Sequence, residues 1–412
     1  MNKDKLLKSK TFCMLPWTHM HLWPSGNTYP CCIWDSTKPL GNYNKESSLK
    51  DIWNSPDMKK LRLNMLNDEQ SDGCKRCYEL EKFGGNETLR ITSNNNYSHK
   101  FELVEQTKDD GTVEKVQMSY LDIRFNNLCN LRCQTCGHDL SSAWYEDQIA
   151  MFNHPIPEKV ISIDPIDKLW AELEPLLAGV ENAYFAGGEP LMCDEHYKIL
   201  DYWIKIGKTD IPINYTTNFA LLNHKKAQVL EYWKQFKNVS VSASLDDSGT
   251  RAEYLRKGTN WNTIVKNRVK MQQECPNVYF EITPTISVYN VFHFPEFHLE
   301  WVEKEYIQPN DIRLNILTHQ DYMSVRILPQ KAKETIEVKY RKYLEKIINI
   351  AIKRNQQYQS AERGYNSLIE FMNAKDDTHL RSEFYDRVKL VDKVRKEDLL
   401  SVYPELKLLD YF

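Results

Sequence analysis

Residues 118–136 read MSYLDIRFNNLCNLRCQTC, and the last eight, CNLRCQTC at 129–136, decide the fold. The run before them is short, apolar and rich in residues that favour strands, so we predict a strand that ends just before the cysteines. Cys129, Cys133 and Cys136 then share one short loop with the spacing C-x3-C-x2-C. Three thiolates can hold three irons of a cubane [4Fe–4S] cluster and leave the fourth iron open. The alternative is a structural zinc site with His138 as the fourth ligand.

Similar apolar runs recur beyond this loop. They occupy 182–187, 211–217, 239–245, 278–286 and 312–317, and helical patterns at 165–178, 192–206, 224–236 and 260–273 alternate with them. Strands that alternate with helices predict βα units and a parallel sheet, so the class is α/β. Six such units form an incomplete barrel or an open sheet, with the site at the carboxyl ends of the strands.

The second strand ends in AGGEP (186–190), where glycines allow a ligand close to the backbone and Glu189 can accept from an ammonium group. With the cysteine spacing, this motif resembles the radical S-adenosylmethionine (SAM) superfamily. The resemblance implies a partial (β/α)6 TIM-like barrel whose open iron binds SAM. One electron from the cluster then cleaves SAM to methionine and a 5′-deoxyadenosyl radical, which abstracts a hydrogen atom from the substrate. The resemblance also implies a reducing electron donor of the flavodoxin or ferredoxin type.

The same resemblance implies which residues hold SAM. GGE would bind the methionyl amino group, and polar residues after the third and fourth strands would bind the ribose and carboxylate. An arginine in EYLRKG resembles a family arginine near the carboxylate, although a surface helix cation is the alternative for this residue. Thr135 departs from the family, which usually has an aromatic residue there beside the adenine. The implied SAM contacts are Gly187, Gly188, Glu189, Thr217, Asn218, Ser244 and Arg256.

A second cysteine group lies in the turn-rich segment from 11 to about 92. A strand at 17–22 is predicted to enter a hairpin, and helices are predicted from Ser47 or Ser48 to Trp53 and from about Pro56. Spacing alone fits a four-cysteine zinc knuckle and an iron–sulfur site equally well. The pattern C-x12-G-x4-C, followed by C-x2-C, resembles the auxiliary modules called SPASM and twitch. The resemblance implies a second [4Fe–4S] cluster bound by Cys13, Cys31, Cys74 and Cys77.

Cys32 follows Cys31 directly, and neighbouring residues on a strand point to opposite faces. We therefore expect Cys32 to be packed rather than bound to metal; the alternative is that Cys32 is the ligand. In most relatives the auxiliary module follows the barrel, whereas here it precedes it. Its position relative to the substrate is therefore not implied by the resemblance.

Length and composition set the remaining expectations. A chain of 412 residues suggests two or three domains. We predict an auxiliary-cluster domain at 1–92, a linker with a hairpin at 93–117, the barrel at 118–329 and a helical region at 330–412. The net charge of -3 gives no reason to expect nucleic acid as a partner. With no signal-peptide pattern and no long apolar run, we expect a cytoplasmic protein without a membrane partner.

The two implied clusters suggest a reaction. A cluster that is fully ligated by protein suits net oxidation, because it can accept the electron that a substrate radical must lose. The leading hypothesis is an enzyme that oxidises or cross-links a peptide or protein side chain. The alternatives are dehydrogenation or another radical modification of a polar small molecule, such as an aminocyclitol or sugar, and a non-catalytic zinc-binding interaction protein. No general base is assigned among the strand-end candidates Asp122, Tyr184, Glu281 and Asp321.

Overall fold

The computed structural model describes residues 3–45, 48–82 and 87–409. The chain has a mixed α/β architecture with a helical carboxyl-terminal region. It forms two compact units, each built from separate stretches of sequence. The first comprises Met1–Asn127, Val160–Asn214 and Gln235–Asn238, and the second comprises Leu128–Lys159, Tyr215–Lys234 and Val239–Phe412.

The strands are short, and a largely parallel eight-stranded sheet contains most of them. Its order is β12-β10-β7-β6-β4-β1-β2-β3, and β7 belongs half to each unit. In chain order the strands are β1 His21–Leu22, β2 Asn27–Tyr29, β3 Gly41–Asn42, β4 Tyr120–Ile123, β5 Arg132–Cys133, β6 Asn182–Phe185, β7 Pro212–Thr217, β8 Asn223–His224, β9 Ala227–Gln228, β10 Asn238–Ala243, β11 Arg256–Lys257, β12 Tyr279–Ile282, β13 Thr285–Ile286 and β14 Asn315–Ile316.

None of the helices in the described ranges combines the length and the apolar character needed to cross a bilayer. In chain order they are α1 Lys3–Leu7, α2 Leu15–Thr18, α3 Leu49–Trp53, α4 Pro56–Leu66, α5 Lys75–Lys82, α6 Leu89–Tyr97, α7 Glu102–Glu105, α8 Tyr145–Phe152, α9 Ile166–Leu177, α10 Asp194–Lys205, α11 Val229–Trp233, α12 Gly249–Leu255, α13 Trp261–Glu274, α14 Phe294–Glu303, α15 Gln330–Arg354, α16 Gln359–Asn373, α17 Arg381–Arg395 and α18 Leu399–Val402.

In the first unit the amino-terminal hairpin extends the sheet. β1 runs antiparallel to β2, with His21 opposite Tyr29, and parallel to β4, with His21 also opposite Asp122. β4 in turn runs parallel to β6. The cysteine-rich hairpin is therefore hydrogen-bonded to the strand that immediately precedes CNLRCQTC in the chain. Sequence analysis did not predict this shared sheet.

In the second unit, β10 and β12 are parallel neighbours, and β13 pairs in parallel with β14. The two-residue strand β5 lies within the cysteine motif and pairs antiparallel with β11. Helices α14, α15 and α16 pack against one another in sequence, and α17 packs on α8. The buried tryptophans of this unit, Trp144, Trp233 and Trp301, show that it has its own hydrophobic core.

Several predicted elements differ from those observed. Residues 17–22 were predicted as one strand, but Trp17 and Thr18 belong to the short helix α2, which has Pro16 in its first turn, and only His21 and Leu22 form β1. The predicted helix at 224–236 is shortened to α11, because a tight β8–β9 hairpin occupies its first turns. Residues 93–117, for which we expected a linker with a hairpin, contain most of α6 and all of α7. The domain boundaries themselves stay a prediction.

The predicted helix caps can be examined only in part. Ser48 caps α3, since its hydroxyl accepts from the amide of Asp51. The alternative cap, Ser47, lies outside the described residues. Ser55 caps α4 in the same way through the amide of Met58, with Pro56 in the first helical position.

Candidate functional site

Four cysteines line one cavity in the first unit. Cys13, Cys31, Cys74 and Cys77 surround a partly open space of about 420 Å³, and the rest of its lining is largely apolar. Cys13 and Cys77 are each only 7% exposed. Burial raises the pKa of Cys74 to about 12, so this thiol must lose a proton to the solvent when it binds a metal. Four sulfur donors around a buried space match the ligand set of an iron–sulfur cluster or a four-cysteine zinc site.

Helix α6 holds the segment that carries Cys13. The Asn94 side chain accepts from the Met14 amide at 2.9 Å and donates to the Phe12 carbonyl at 3.0 Å. Arg90 donates to the carbonyls of Ser9 and Phe12, both at 2.9 Å. The backbone is therefore fixed immediately before and after Cys13. Sequence analysis missed this helix, although Thr88 in front of Leu89 is a recognisable helix cap.

A close contact joins the loop after Cys31 to the turn that carries Cys74. The Asp35 amide donates to the Gly73 carbonyl at 3.3 Å. The indole ring of Trp34 lies against Gly73, and a β-carbon at residue 73 would lie 2.2 Å from atoms of that ring. Only glycine permits this approach without movement of the tryptophan, which explains why glycine directly precedes Cys74.

Cys32 has a different environment from Cys31. Burial raises the pKa of the Cys32 thiol. The charge of Asp122 raises this pKa further and that of Arg124 lowers it, and both residues come from the β4 region. Asp122 is fully buried, and Oδ2 lies 3.1 Å from Nδ1 of His21. Burial raises the pKa of the Asp122 carboxyl, but its neighbours His21 and Arg124 hold this pKa below its usual range. Cys31 and Cys32 lie in a turn after β2 rather than on a strand, so strand alternation does not apply to them. Cys32 nevertheless has charged neighbours that differ from those of Cys31.

In the second unit, the CNLRCQTC loop is shaped by hydrogen bonds to its neighbours. The Ser142 hydroxyl accepts from the Cys129 amide at 3.2 Å, and the Trp144 indole donates to the Cys133 carbonyl at 3.0 Å. The Cys136 amide donates to the Cys133 carbonyl at 3.1 Å. All three cysteines are half-buried. Their thiols are therefore held on an ordered loop and remain partly accessible to a ligand.

One predicted SAM contact, Asn218, connects the end of β7 to this loop, and Thr217 links the end of β7 to Ser244. Asn218 donates to the Asn130 side chain at 2.8 Å and lies 3.8 Å from the Cys129 sulfur. Thr217 accepts from the Phe219 amide at 3.0 Å, and its carbonyl accepts from the amide of Ser244 at 2.8 Å. The structure therefore places Thr217, Asn218 and Ser244 together at the carboxyl ends of β7 and β10.

Arg256 contacts the cysteine loop directly. Its Nε and Nη2 donate to the two oxygens of Asp246 at 2.8 and 2.9 Å, and Nη1 lies 3.5 Å from the Cys133 sulfur. Arg256 is also opposite Cys133 in the β11–β5 pairing. Two of its three nitrogens are engaged by Asp246, so Arg256 is a buried cation at the loop rather than a surface helix cation. Sequence analysis did not name Asp246 as its partner, although this residue lies in the quoted SLDD.

The first unit contains the remaining predicted SAM contacts, which are Gly187, Gly188 and Glu189. Gly187 has a φ of +138°, a conformation that favours glycine. Glu189 is 2% exposed, and its Oε1 accepts from the Leu191 amide at 3.2 Å. Gly188 and Glu189 line a cavity of about 270 Å³ together with Phe125, Phe185 and His196. A buried carboxylate in a small cavity can bind a ligand ammonium group.

The four candidate general bases are engaged elsewhere or exposed. Asp122 is bound in the network with His21, and Glu281 accepts from Ser242 at 2.7 Å and from Arg313. Asp321 is exposed beside Arg326, and Tyr184 is half-buried on β6. None of these positions singles out a base.

The structure adds one pair that sequence analysis missed. The fully buried Asp247, next to Asp246, lies 2.6 Å from Nδ1 of the half-buried His293. A histidine oriented by a buried carboxylate is an arrangement that enzymes use for proton transfer.

The zinc alternative for the central cysteines needed His138 as its fourth ligand. Nε2 of His138 lies 3.0 Å from the Lys159 carbonyl oxygen, so this nitrogen already takes part in a hydrogen bond. Among the described residues, no group of three or more His, Cys, Asp or Glu side chains is arranged to hold a single metal ion.

Comparison with protein families identifies the amino-terminal site. Residues 13–78 match the family described as SPASM, an iron–sulfur cluster-binding domain. The match includes all four cysteines of the cavity, so the class of the site is iron–sulfur. The expectation of a module of this kind in the amino-terminal segment is therefore confirmed. No curated protein matches the chain.

Solved structures give similarities over about half the chain. The structure titled native anSMEcpe with bound AdoMet and Kp18Cys peptide is 16% identical and has a TM-score of 0.37. It aligns with 54% of this chain, which spans 59% of that protein's length. Native anSMEcpe with bound AdoMet is 15% identical, with a TM-score of 0.36 and coverage of 56% and 60%. TYW1 with a lysine–pyruvate adduct is 13% identical, with a TM-score of 0.29 and coverage of 53% and 69%.

Proposed function

We propose that this chain is a radical SAM enzyme that oxidises or cross-links a side chain of a peptide or protein. The observation that carries the proposal is the presence of two separate cysteine sets with different ligand numbers. The amino-terminal set has four cysteines around one cavity within a SPASM match. The central set has three half-buried cysteines on one ordered loop. Four ligands close a [4Fe–4S] cluster, whereas three leave one iron free to bind SAM.

In this proposal, Cys129, Cys133 and Cys136 hold the SAM-binding cluster at the carboxyl end of the first strand of a partial (β/α)6 barrel. When bound there, the cluster and SAM supply the one-electron chemistry that starts the reaction. Asn218 and Arg256 contact this loop, and Thr217 and Ser244 lie at the carboxyl ends of β7 and β10. Gly187, Gly188 and Glu189 supply backbone space and a carboxylate for the methionyl amino group. The parallel strands β4, β6, β7, β10 and β12, in this sheet order, support the barrel assignment.

The auxiliary site supports oxidation as the type of reaction. Cys13, Cys31, Cys74 and Cys77 would hold a cluster without an open iron, so its role is to accept an electron rather than to bind substrate. Oxidation also releases a proton, and the Asp247–His293 pair lies beside Asp246, the partner of Arg256. A peptide or protein is the leading substrate class and a polar small molecule is the alternative, because enzymes with auxiliary modules of this kind act on both.

Anaerobic reconstitution followed by metal analysis tests the proposal. We expect about eight irons per chain, equally divided between two [4Fe–4S] clusters. The double variant Cys13→Ala/Cys74→Ala should lose about half of this iron, and the triple variant at Cys129, Cys133 and Cys136 should lose the other half. The double variant Cys193→Ala/Cys275→Ala is the matched control, since these two buried cysteines belong to neither set. Zinc without iron in the wild type would overturn the proposal.

A further inference from the structure

The carboxyl-terminal helix α17 is connected to the central cysteine loop by a continuous series of contacts. Arg395 lies in its last turn, and its side chain is 1% exposed. Its Nε donates to Oδ2 of Asp147 at 2.7 Å. The other oxygen of Asp147 accepts from Arg132 at 2.5 Å, and Arg132 directly precedes Cys133.

A second route runs through Trp144. The guanidinium carbon of Arg395 lies 4.5 Å from the centre of the Trp144 ring, close enough for a cation–π contact. The indole of Trp144 donates to the Cys133 carbonyl at 3.0 Å. Arg395 therefore reaches the backbone around Cys133 in two ways, although it is more than 250 residues away in sequence.

The charges in this region do not balance. Asp147 is shared by two guanidinium groups, and the carboxylate of Asp246 is taken by Arg256. Nη1 and Nη2 of Arg395 are buried and make no hydrogen bond to any described residue. A buried cation without full compensation is costly unless negative charge lies near it. Thiolates bound to iron at the adjacent loop would supply that charge.

We propose that Arg395 is a positioning residue for the central cysteine loop and that its charge makes the iron–sulfur group at Cys129, Cys133 and Cys136 easier to reduce. This inference rests on the proposed function of that loop. Reduction adds a negative charge to the group, so a buried cation beside one of its ligands stabilises the reduced form. The carboxyl-terminal helical region thereby takes part in the cofactor site and is more than an appended domain.

The test is a redox titration of the reconstituted protein, followed by electron paramagnetic resonance of the signal that SAM perturbs. Arg395→Met keeps the length of the side chain and removes its charge. At a fixed potential we expect the ratio of reduced to oxidised cluster to fall about tenfold, as for a unit charge near a buried site. Lys393→Met is the matched control, because it removes the same charge from an exposed position on the same helix. The control should have the same ratio of reduced to oxidised cluster as the wild type at that potential.

A variant that removes a negative charge instead of a positive one distinguishes an effect of charge from a loss of fold stability. Asp147→Asn removes the negative charge and leaves Arg395 in place, so the ratio should rise instead of fall. Arg395→Lys keeps the charge but loses the planar group that lies over Trp144, so the ratio should fall less than in Arg395→Met. If circular dichroism shows that Arg395→Met does not fold, the inference is tested with these two variants instead.

Two results would overturn the inference. One is that Arg395→Met and Lys393→Met have the same ratio of reduced to oxidised cluster at the fixed potential. The other is that Arg395→Met and Asp147→Asn change this ratio in the same direction. Failure of the proposed function itself would look different, because the wild type would then show no iron signal that responds to SAM.

Discussion

At the scale of single residues, Arg256 shows how the structure refines a sequence-based assignment. The resemblance implied an arginine near the SAM carboxylate. The structure places a bidentate ion pair with Asp246 and a contact with the Cys133 sulfur at this position. The spacing of EYLRKG could predict an arginine at the site, but not its partner. That partner depends on how two loops, distant in sequence, meet at the strand ends.

The Asp246–Arg256 pair gives a prediction about stability. Both side chains are largely buried, so removal of the negative charge leaves a buried cation uncompensated. We expect Asp246→Asn to lower the free energy of unfolding by about 3–5 kcal/mol at neutral pH. Denaturant unfolding checks this value. Glu300→Gln, which breaks the exposed pair with Lys304, should cost at most about 1 kcal/mol. Equal costs for the two variants would argue against a buried, charged pair.

Gly73 gives a second prediction at this scale. In Gly73→Ala the new methyl group would overlap the Trp34 ring, so the turn before Cys74 must shift. We expect this variant to retain only about half of the wild-type iron, because one of two clusters is lost. Gly179→Ala is the control, since its β-carbon would make only ordinary contacts at 3.4 Å or more. Full iron content in Gly73→Ala would contradict the role given to this contact.

At the scale of elements, the alternating apolar runs predicted the strands and helices of the parallel sheet well. β4, β6, β7 and β12 lie within predicted runs, and β10 begins one residue before its run, at Asn238. Buried residues alternate along most of these strands, and this pattern is visible in the sequence. Helix α6 was missed because its sequence, LRITSNNNY, has the composition of a linker. Its buried Asn94 holds the segment around Cys13, and such a role depends on tertiary contacts that no local pattern reveals.

Helix α6 therefore gives a prediction of its own. Asn94→Ala leaves the Met14 amide without its side-chain acceptor and leaves Arg90 as the remaining side-chain donor to the Phe12 carbonyl, at a cost of about 1–3 kcal/mol in unfolding free energy. We also expect faster loss of about half of the bound iron to a chelator, because Cys13 lies between these two groups. Asn95→Ala, on the exposed face of the same helix, should match the wild type. Identical rates of iron release from both variants would contradict the claim that α6 holds the segment around Cys13.

At the scale of the whole molecule, each cysteine set depends on residues that are distant in sequence. The SPASM match covers 13–78, the three-cysteine loop lies at 129–136, and Arg395 is linked to that loop through Asp147 and Trp144. Motifs revealed the two cysteine sets because ligand spacing is local. They could not reveal that β1 joins β4 in one sheet, or that α17 of the carboxyl-terminal region packs on α8. Both depend on contacts between segments far apart in sequence.

The most direct test of the central claim is SAM cleavage by the reconstituted protein under strong chemical reduction, with 5′-deoxyadenosine measured as the product. The account predicts that the wild type forms it without added substrate and that the Cys129→Ala, Cys133→Ala and Cys136→Ala variants each form none. The Cys13→Ala/Cys74→Ala variant should continue to form it, because its central loop is intact. A wild type that binds iron but yields no 5′-deoxyadenosine, or a Cys133→Ala variant that yields as much as the wild type, would contradict the account.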